Sequence, residues 1–458
     1  MTVPERFHAA EAALNAPTKA ERLAAVRTLA DGLASGAIPP VCPTVEVNNH
    51  VHTGYSFSPH SPSSAAWQAM RAGLRAVGIM DHDSVAGIEE MLEAGALLGI
   101  ATTAGCEIRV HFGDTPFADR LINGPGLTGI AYIALHGIPV HQVARCREFL
   151  RPIQEARNAR NAAMVARLNG ILAAQGLPAL DFQRDVYATS LAAEGGAITE
   201  RHLLAALSRQ LMAVHGKGEG LVTFLTETLG VPLAGRIRGY LLDAENPHYL
   251  YDLLGVLKAN YADAFFIHPD TVECIDVRTV LAFADEIGAI SAYAYLGDVT
   301  ESPTGDKKAE KFEDEFLDEL MAWLQRLGFR AVTYMPPRNT PAQLDRIAAL
   351  CETHGFLQIS GVDINSSRQT FNCPEILDPR FAHLIAATWA LIGHEKLSIV
   401  APGCGIFGTA TCLALPTLPA RQECFAVIGQ GVDAHTPTTL PPALTALVAP
   451  WCAAAGVG

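Results

Sequence analysis

Short apolar runs that each close on a histidine or an acid recur along this chain, and no other feature constrains its fold as tightly. Val45-Glu46-Val47 leads into Asn48-Asn49-His50-Val51-His52, and Ala76-Val77-Gly78-Ile79-Met80 leads into Asp81-His82-Asp83. Residues 100–106 lead to Glu107, 129–135 to His136, 264–267 to His268-Pro269, and 356–360 to Gly361-Val362-Asp363-Ile364-Asn365. Runs without charge fit strands buried on both faces, as in a parallel sheet. Two further runs, 290–295 and 331–334, read the same way. Helix-period stretches separate them at 63–72, with Ser63 or Ser64 as cap, and at 88–98, 312–327 and 344–354. Polar residues gathered at the C-terminal ends of successive strands mark the working face of a β/α barrel.

The rest of the chain reads as additions to that barrel. Residues 1–40 form an N-terminal helical appendage, with Gly36 as the stop of its last helix. The barrel's first part spans 41–140 and its second part 261–394. Between them, 141–260 reads as a helical insertion with a long helix over 157–172 and a second opened by Thr199 as cap. The extension 395–458 is rich in Gly, Pro, Thr and small apolar residues. It is expected to cap the barrel or a neighbouring subunit, so a homo-oligomer is among the expectations.

The 458 residues are 49% hydrophobic and 17% charged, with a formal net charge of −14. That balance argues against a surface built for a nucleic-acid polymer, which needs clustered Lys and Arg. Ten scattered cysteines form no Cys-x-x-Cys pair, which suits free thiols in a reducing cytoplasm. The polar N-terminus lacks the form of a signal peptide, and no apolar run is long enough to span a membrane. A cytoplasmic protein without a membrane partner is expected.

The strand-end residues carry the chemistry. Period two along a strand turns His50 and His52 to the same side, where two imidazoles can grip one divalent ion. With His82, Glu107, His136, His268 and Asp363 the donors exceed the needs of a single ion, so two or three ions (Zn, Mn or Fe) are expected. Such ions polarise a phosphoryl oxygen, activate water and neutralise a leaving oxygen. Plainer readings stand beside these. Glu107 could pair with Arg109, Asp83 could cap a helix, and His136 and His268 could be rim histidines, with His111 and His141 competing with His136. Asp81 is expected to fix the imidazole tautomer of His82, and His354 to end a helix beside Gly355. Lys307 and Lys308, on a loop with Gly305, could close over a phosphate, and Arg338 and Arg368 could hold an anion; a solvated loop and surface pairing are the alternatives.

Asn48-Asn49-His50-Val51-His52-Thr53, Met80-Asp81-His82-Asp83 and Gly105-Cys106-Glu107-Ile108 resemble the first motifs of the PHP (polymerase and histidinol phosphatase) superfamily. Leu135-His136-Gly137, Ile267-His268-Pro269 and Gly361-Val362-Asp363 follow in the matching order. The resemblance implies a distorted seven-stranded β/α barrel, here a (β/α)7 barrel with a helical insertion, holding two or three metals and hydrolysing phosphoesters. Arg157, Arg160 and the pair Arg201-His202 are similar to basic residues of the insert in nucleotide-phosphatase-like members. By that analogy Arg201, with His202, holds substrate phosphate; separately, either His268 or His202 could protonate the leaving oxygen as general acid. The chain departs from the pattern in three places: Asn48 replaces an Asp, His60 stands at an unusual offset for a ligand after the His-x-His, and Asn365 replaces the closing His. As a ligand, Asn365 would bring a carbonyl oxygen without charge. The expected activity is hydrolysis of a small phosphomonoester or nucleotide-like phosphodiester by metal-activated water. Amide or ester hydrolysis on the same metals is the alternative, as is a non-catalytic binding protein with a degenerate site; a polymerase-associated exonuclease is the remotest.

Overall fold

The computed structural model describes residues 4–431 apart from 234, 300–310 and 402, together with 442, 445, 446 and 448–450. Lys307 and Lys308 lie outside the described residues. The strands are β1 (Val47–Val51), β2 (Ala76–His82), β3 (Ala101–His111), β4 (Ile130–His136), β5 (Ile275–Asp276), β6 (Ile290–Ala294), β7 (Ala331–Tyr334) and β8 (Leu357–Ser360). Seven stand side by side in the order β1-β2-β3-β4-β6-β7-β8, while β5 pairs with the far end of β3. A parallel bridge from Val51 to Ile364 brings the chain beyond β8 against β1, so the sheet is a nearly closed barrel.

Connections decide strand direction. Helices Pro62–Arg71 and Ile88–Leu98 carry the chain back between β1, β2 and β3, which therefore run parallel. No helix separates β3 from β4, and β4 runs antiparallel to both β3 and β6. This changes the expectation for His136. At the end of a reversed strand it pairs with Gly105, two residues below Glu107, and with Ile290, the first residue of β6. His136 thus sits buried one step below Glu107, with Nε2 lacking a hydrogen-bond partner and near enough to His50 for that imidazole to add to burial in lowering it.

Local chemistry sets the helix ends. Ser61 rather than Ser63 or Ser64 caps helix Pro62–Arg71: its Oγ accepts from the Ser64 amide, and Pro62 follows with its φ already helical. His354 is the last residue of helix Pro341–His354, and Gly355 takes the left-handed φ that closes it. The run 264–267 is not a strand. Ala262–Ala264 is a 3-10 turn and Phe265 is buried in the core of the insertion. The carbonyls of Phe266 and Ile267 are satisfied by Arg167 and Arg160 instead of a neighbouring strand.

Three apolar cores follow. One fills the barrel wall and takes in the N-terminal helices Glu5–Ala13 and Lys19–Ala34, as well as the first turns of the long helix Val143–Ala174. A second lies within the insertion, from Met164 to Phe265, and admits one barrel residue, Phe57. The third is the barrel floor, where helix Ala382–Val400 packs on Ile290, Ala331 and Leu357, the first residues of β6, β7 and β8. The expected boundary at 394/395 falls inside that helix. Among the described residues, no helix is long and apolar enough to cross a membrane.

Candidate metal centre

His50 near the end of β1 and His52 just past it bring their Nε2 atoms to 3.2 Å. Register pairs His82 on β2 with Glu107 on β3. Glu107 Oε2 lies 2.9 Å from His82 Nδ1, 3.9 Å from His50 Nε2 and 4.0 Å from His52 Nε2. Asp363, just beyond β8, places Oδ1 3.3 Å from His52 Nε2. Donor atoms of His50, His52 and Glu107 all lie within 4.8 Å of one another, and all three residues are buried.

The charges press on one another. Burial lowers the His50 and His82 imidazoles, whereas at His52 the opposing pull of Asp363, Glu107 and Asp81 outweighs burial and raises it. Burial raises Glu107; at Asp363 burial acts upward too, but His52, His50 and His82 hold it well below the usual carboxylate range. His82 Nδ1 makes no hydrogen bond despite its 2.9 Å approach to Glu107. Imidazole nitrogens and carboxylate oxygens crowded this closely fit groups aimed at a common cation. Imidazole and carboxylate suit a divalent transition metal.

Asp81 does not serve His82. Its buried carboxylate accepts from the Thr53 amide, Thr53 Oγ1 and Ser56 Oγ, each at 2.6 Å. Ser56 Oγ in turn lies 3.3 Å from His52 Nδ1. With the serine proton given to Asp81, Nδ1 of His52 donates to Ser56 and its Nε2 lone pair faces the donor cluster. Nor does Glu107 pair with Arg109, whose guanidinium binds the Tyr132 hydroxyl, Glu273 and Glu200.

On the insertion side, Arg201, the second residue of helix Glu200–His215, donates from Nη2 to the Asn365 carbonyl at 2.8 Å. Its guanidinium lies 5.3 Å from the centre of the Phe57 ring. Phe57 has φ 83°, a left-handed conformation costly for a bulky side chain and of a kind that gathers at working sites. Burial lowers the Arg201 guanidinium and the nearby Asp363 raises it. Asn365 donates from Nδ2 to Asp363 Oδ1 at 2.7 Å.

The other residues singled out in the sequence lie elsewhere. His202 accepts the Thr199 amide on Nδ1 at 3.0 Å, closing the cap of its helix. His60 lies edge-on to Phe371 with Nδ1 3.4 Å from Ser64 Oγ. His268 is exposed, against Phe266. Arg338 donates to the Leu296 carbonyl, and Arg368 forms a two-point ion pair with Asp252 over the Tyr240 ring. Arg157 and Arg160 are buried among Asp83, Glu273 and Glu200. Thr53 and Ser56 went unread because their partner Asp81 lies 28 and 25 residues on.

A comparison with curated proteins gives no significant match. Among solved structures, a Bifidobacterium adolescentis protein provisionally assigned as a metal-dependent phosphoesterase is similar at 19% identity and a TM-score of 0.46, over 74% of this chain and 96% of that one. An amidohydrolase from Chromobacterium violaceum, solved with sulfate and no metal, is similar at 16% identity and a TM-score of 0.45, over the same shares of each chain, 74% and 96%. The model of the PHP domain matches residues 48–322, a stretch that carries His50, His52, His82 and Glu107 on its strands. By that match, the chain belongs to the PHP-domain family, one of metal-dependent hydrolases.

Proposed function

We propose that this protein hydrolyses a phosphoric ester, either a small phosphomonoester or a nucleotide-like phosphodiester. The observation that carries this reading is Arg201 beside the metal-binding carboxylate Asp363. Among the described residues only its Nη2 has a hydrogen-bond partner, a backbone carbonyl, so the guanidinium keeps donors for an anion. A neutral amide or ester has little use for a partly buried arginine, whereas phosphate matches its planar donors.

A divalent ion held by His50, His52, Glu107 and Asp363 would supply Lewis acidity and an activated water. The protein's own groups do the positioning. Asp81 and Ser56 hold His52, the Asn365 carbonyl and the Phe57 ring fix the Arg201 guanidinium, and Arg201 binds and neutralises the phosphoryl group. His202, kept neutral by burial and engaged at its helix cap, serves the position of Arg201 more than proton transfer.

Chelator-treated protein reloaded with Mn or Zn should cleave nitrophenyl phosphate or bis-nitrophenyl phosphate and leave nitrophenyl acetate largely untouched. Replacing Arg201 by Ala should raise KM for the phosphate by about tenfold to a hundredfold, the worth of a charged hydrogen bond. Cleavage of the acetate alone, or an unchanged KM in Arg201→Ala, would overturn the phosphoester reading.

A further inference from the structure

We infer that the Tyr132 hydroxyl is a catalytic hydrogen-bond donor, aimed at the leaving oxygen of the ester. The inference rests on the phosphoesterase reading and goes beyond it by naming the group that meets the charge left on that oxygen. Glu107 and Arg109 are two apart on β3, so both side chains turn to the face that holds the donor cluster, with Arg109 about 7 Å nearer the barrel mouth. Tyr132 of the reversed strand β4 stands directly opposite Arg109, and side chains opposite each other share a face. Tyr132 therefore lines the mouth one tier above Glu107. Its ring centre lies 5.5 Å from that of His82, and the side chain is only partly covered.

The surroundings fix this phenol and leave its proton free. Asn123 clasps the main chain from both sides: Oδ1 accepts the Tyr132 amide and Nδ2 donates to the Tyr132 carbonyl, each at 2.8 Å. Buried Arg109 donates to the hydroxyl oxygen from Nη2 at 2.7 Å and from Nε at 3.1 Å, while Glu273 and Glu200 hold the same guanidinium. A hydroxyl has two lone pairs and one proton. Both lone pairs are taken here, and among the described residues the proton has no acceptor. Bonds accepted from a cation polarise the O–H and make it a stronger donor. Tyr132 also stands across the mouth from Arg201. β4 is the fourth of the seven strands, whereas Arg201 is tied to Asn365, in the segment that bridges to β1. An ester with its phosphoryl oxygens on Arg201 can turn its leaving oxygen to the β4 wall. The two histidines considered for this task lie elsewhere, His202 in a helix cap and His268 exposed beside Phe266. In the reaction the oxygen of water bonds to phosphorus, and the bond from phosphorus to the leaving oxygen breaks with its electron pair staying on that oxygen. Tyr132 hydrogen-bonds to the new negative charge and keeps its proton; the proton released by the water completes the alcohol. A donor set in advance for charge that develops only in the transition state acts on kcat.

The test compares the Mn-loaded full chain with Tyr132→Phe on phenyl phosphate and nitrophenyl phosphate. Nitrophenolate spreads its own charge and leaves with little help, whereas phenolate needs it. Tyr132→Phe should lower kcat for phenyl phosphate about 100-fold to 1000-fold, lower it far less for nitrophenyl phosphate, and leave both KM values unchanged. Competition with a fluorescent chelator should give the same metal affinity for both proteins. Should the variant misfold, the wild type decides: its kcat should differ little between the two esters. Equal losses on both esters, a rise in KM alone, a weakened metal affinity, or a steep wild-type preference for nitrophenyl phosphate would overturn the inference and leave the phosphoesterase reading standing. A wild type that cleaves no phosphoric ester would overturn that reading and the inference with it.

Discussion

At the scale of single residues, the candidate centre is shaped by groups that lie outside its donor cluster. Asp81 takes three hydrogen bonds from Thr53 and Ser56, and through Ser56 it sets which nitrogen of His52 is free. Asp81→Asn would leave the size unchanged but turn one acceptor into a donor that meets Thr53 or Ser56 donor to donor. Metal affinity should fall about tenfold to a hundredfold, as for other partners behind metal-bound histidines, and competition with a fluorescent chelator would measure it. An unchanged affinity would mean that His52 is held by packing alone. Of the residues that cluster here, His50, His52, Glu107 and Asp363 could be picked out as candidates because each closes an apolar run. The service of Asp81 could not, since nothing in its spacing distinguishes His52 from its own neighbour His82 as the imidazole it orients.

At the scale of elements, most strands were legible as uncharged runs, yet their direction was not. An apolar strand reads the same forwards and backwards, so only the missing helix between β3 and β4 reveals that His136 lies one step below Glu107. The run 264–267 misled for a related reason: burial between helices leaves the same apolar signature as burial in a sheet. Attachment of the N-terminal helices was hidden in distant charges. Arg22 of helix Lys19–Ala34 binds both oxygens of Glu90 at 2.9 and 2.6 Å, and Ser63 Oγ adds a bond at 2.7 Å. Both charged residues are almost wholly buried. Arg22→Met would strand the Glu90 charge and should destabilise the protein by about 3–5 kcal/mol, whereas Arg22→Met with Glu90→Met should recover most of that loss. Urea unfolding of the three proteins separates the cases; equal losses for the single and double variants would show that the pair itself is stabilising.

At the scale of the whole molecule, two histidines far apart tie both additions to the barrel in their neutral form. His394, in the floor helix Ala382–Val400, places Nε2 2.9 Å from the Gly288 carbonyl and accepts the Ile406 amide on Nδ1 at 3.0 Å. His202 accepts the Thr199 amide at the start of the insertion helix and stands edge-on to the barrel residue Phe57, with ring centres 4.9 Å apart. In each case a second ring proton would meet an N–H already pointing at that nitrogen. Burial lowers His394 to about 4 and His202 to about 3, against about 6.5 in the unfolded chain. Above pH 6.5 both states are neutral and the stabilisation is complete. As pH falls below 6.5 the unfolded chain takes up protons that the folded chain refuses, so stability drops until the folded values are reached. Each pH unit of separation is worth about 1.4 kcal/mol, so His394 alone contributes on the order of 3 kcal/mol that is lost towards pH 4. Glutamine offers the same two functions without titrating, and it is an ordinary partner at the third position of a helix cap. Metal-free His202→Gln with His394→Gln should therefore show a shallower decline in denaturant stability from pH 6.5 to 4 than the metal-free parent. A decline as steep as the parent's would place the acid sensitivity in the metal-binding imidazoles and not in the joints that hold the insertion and the floor.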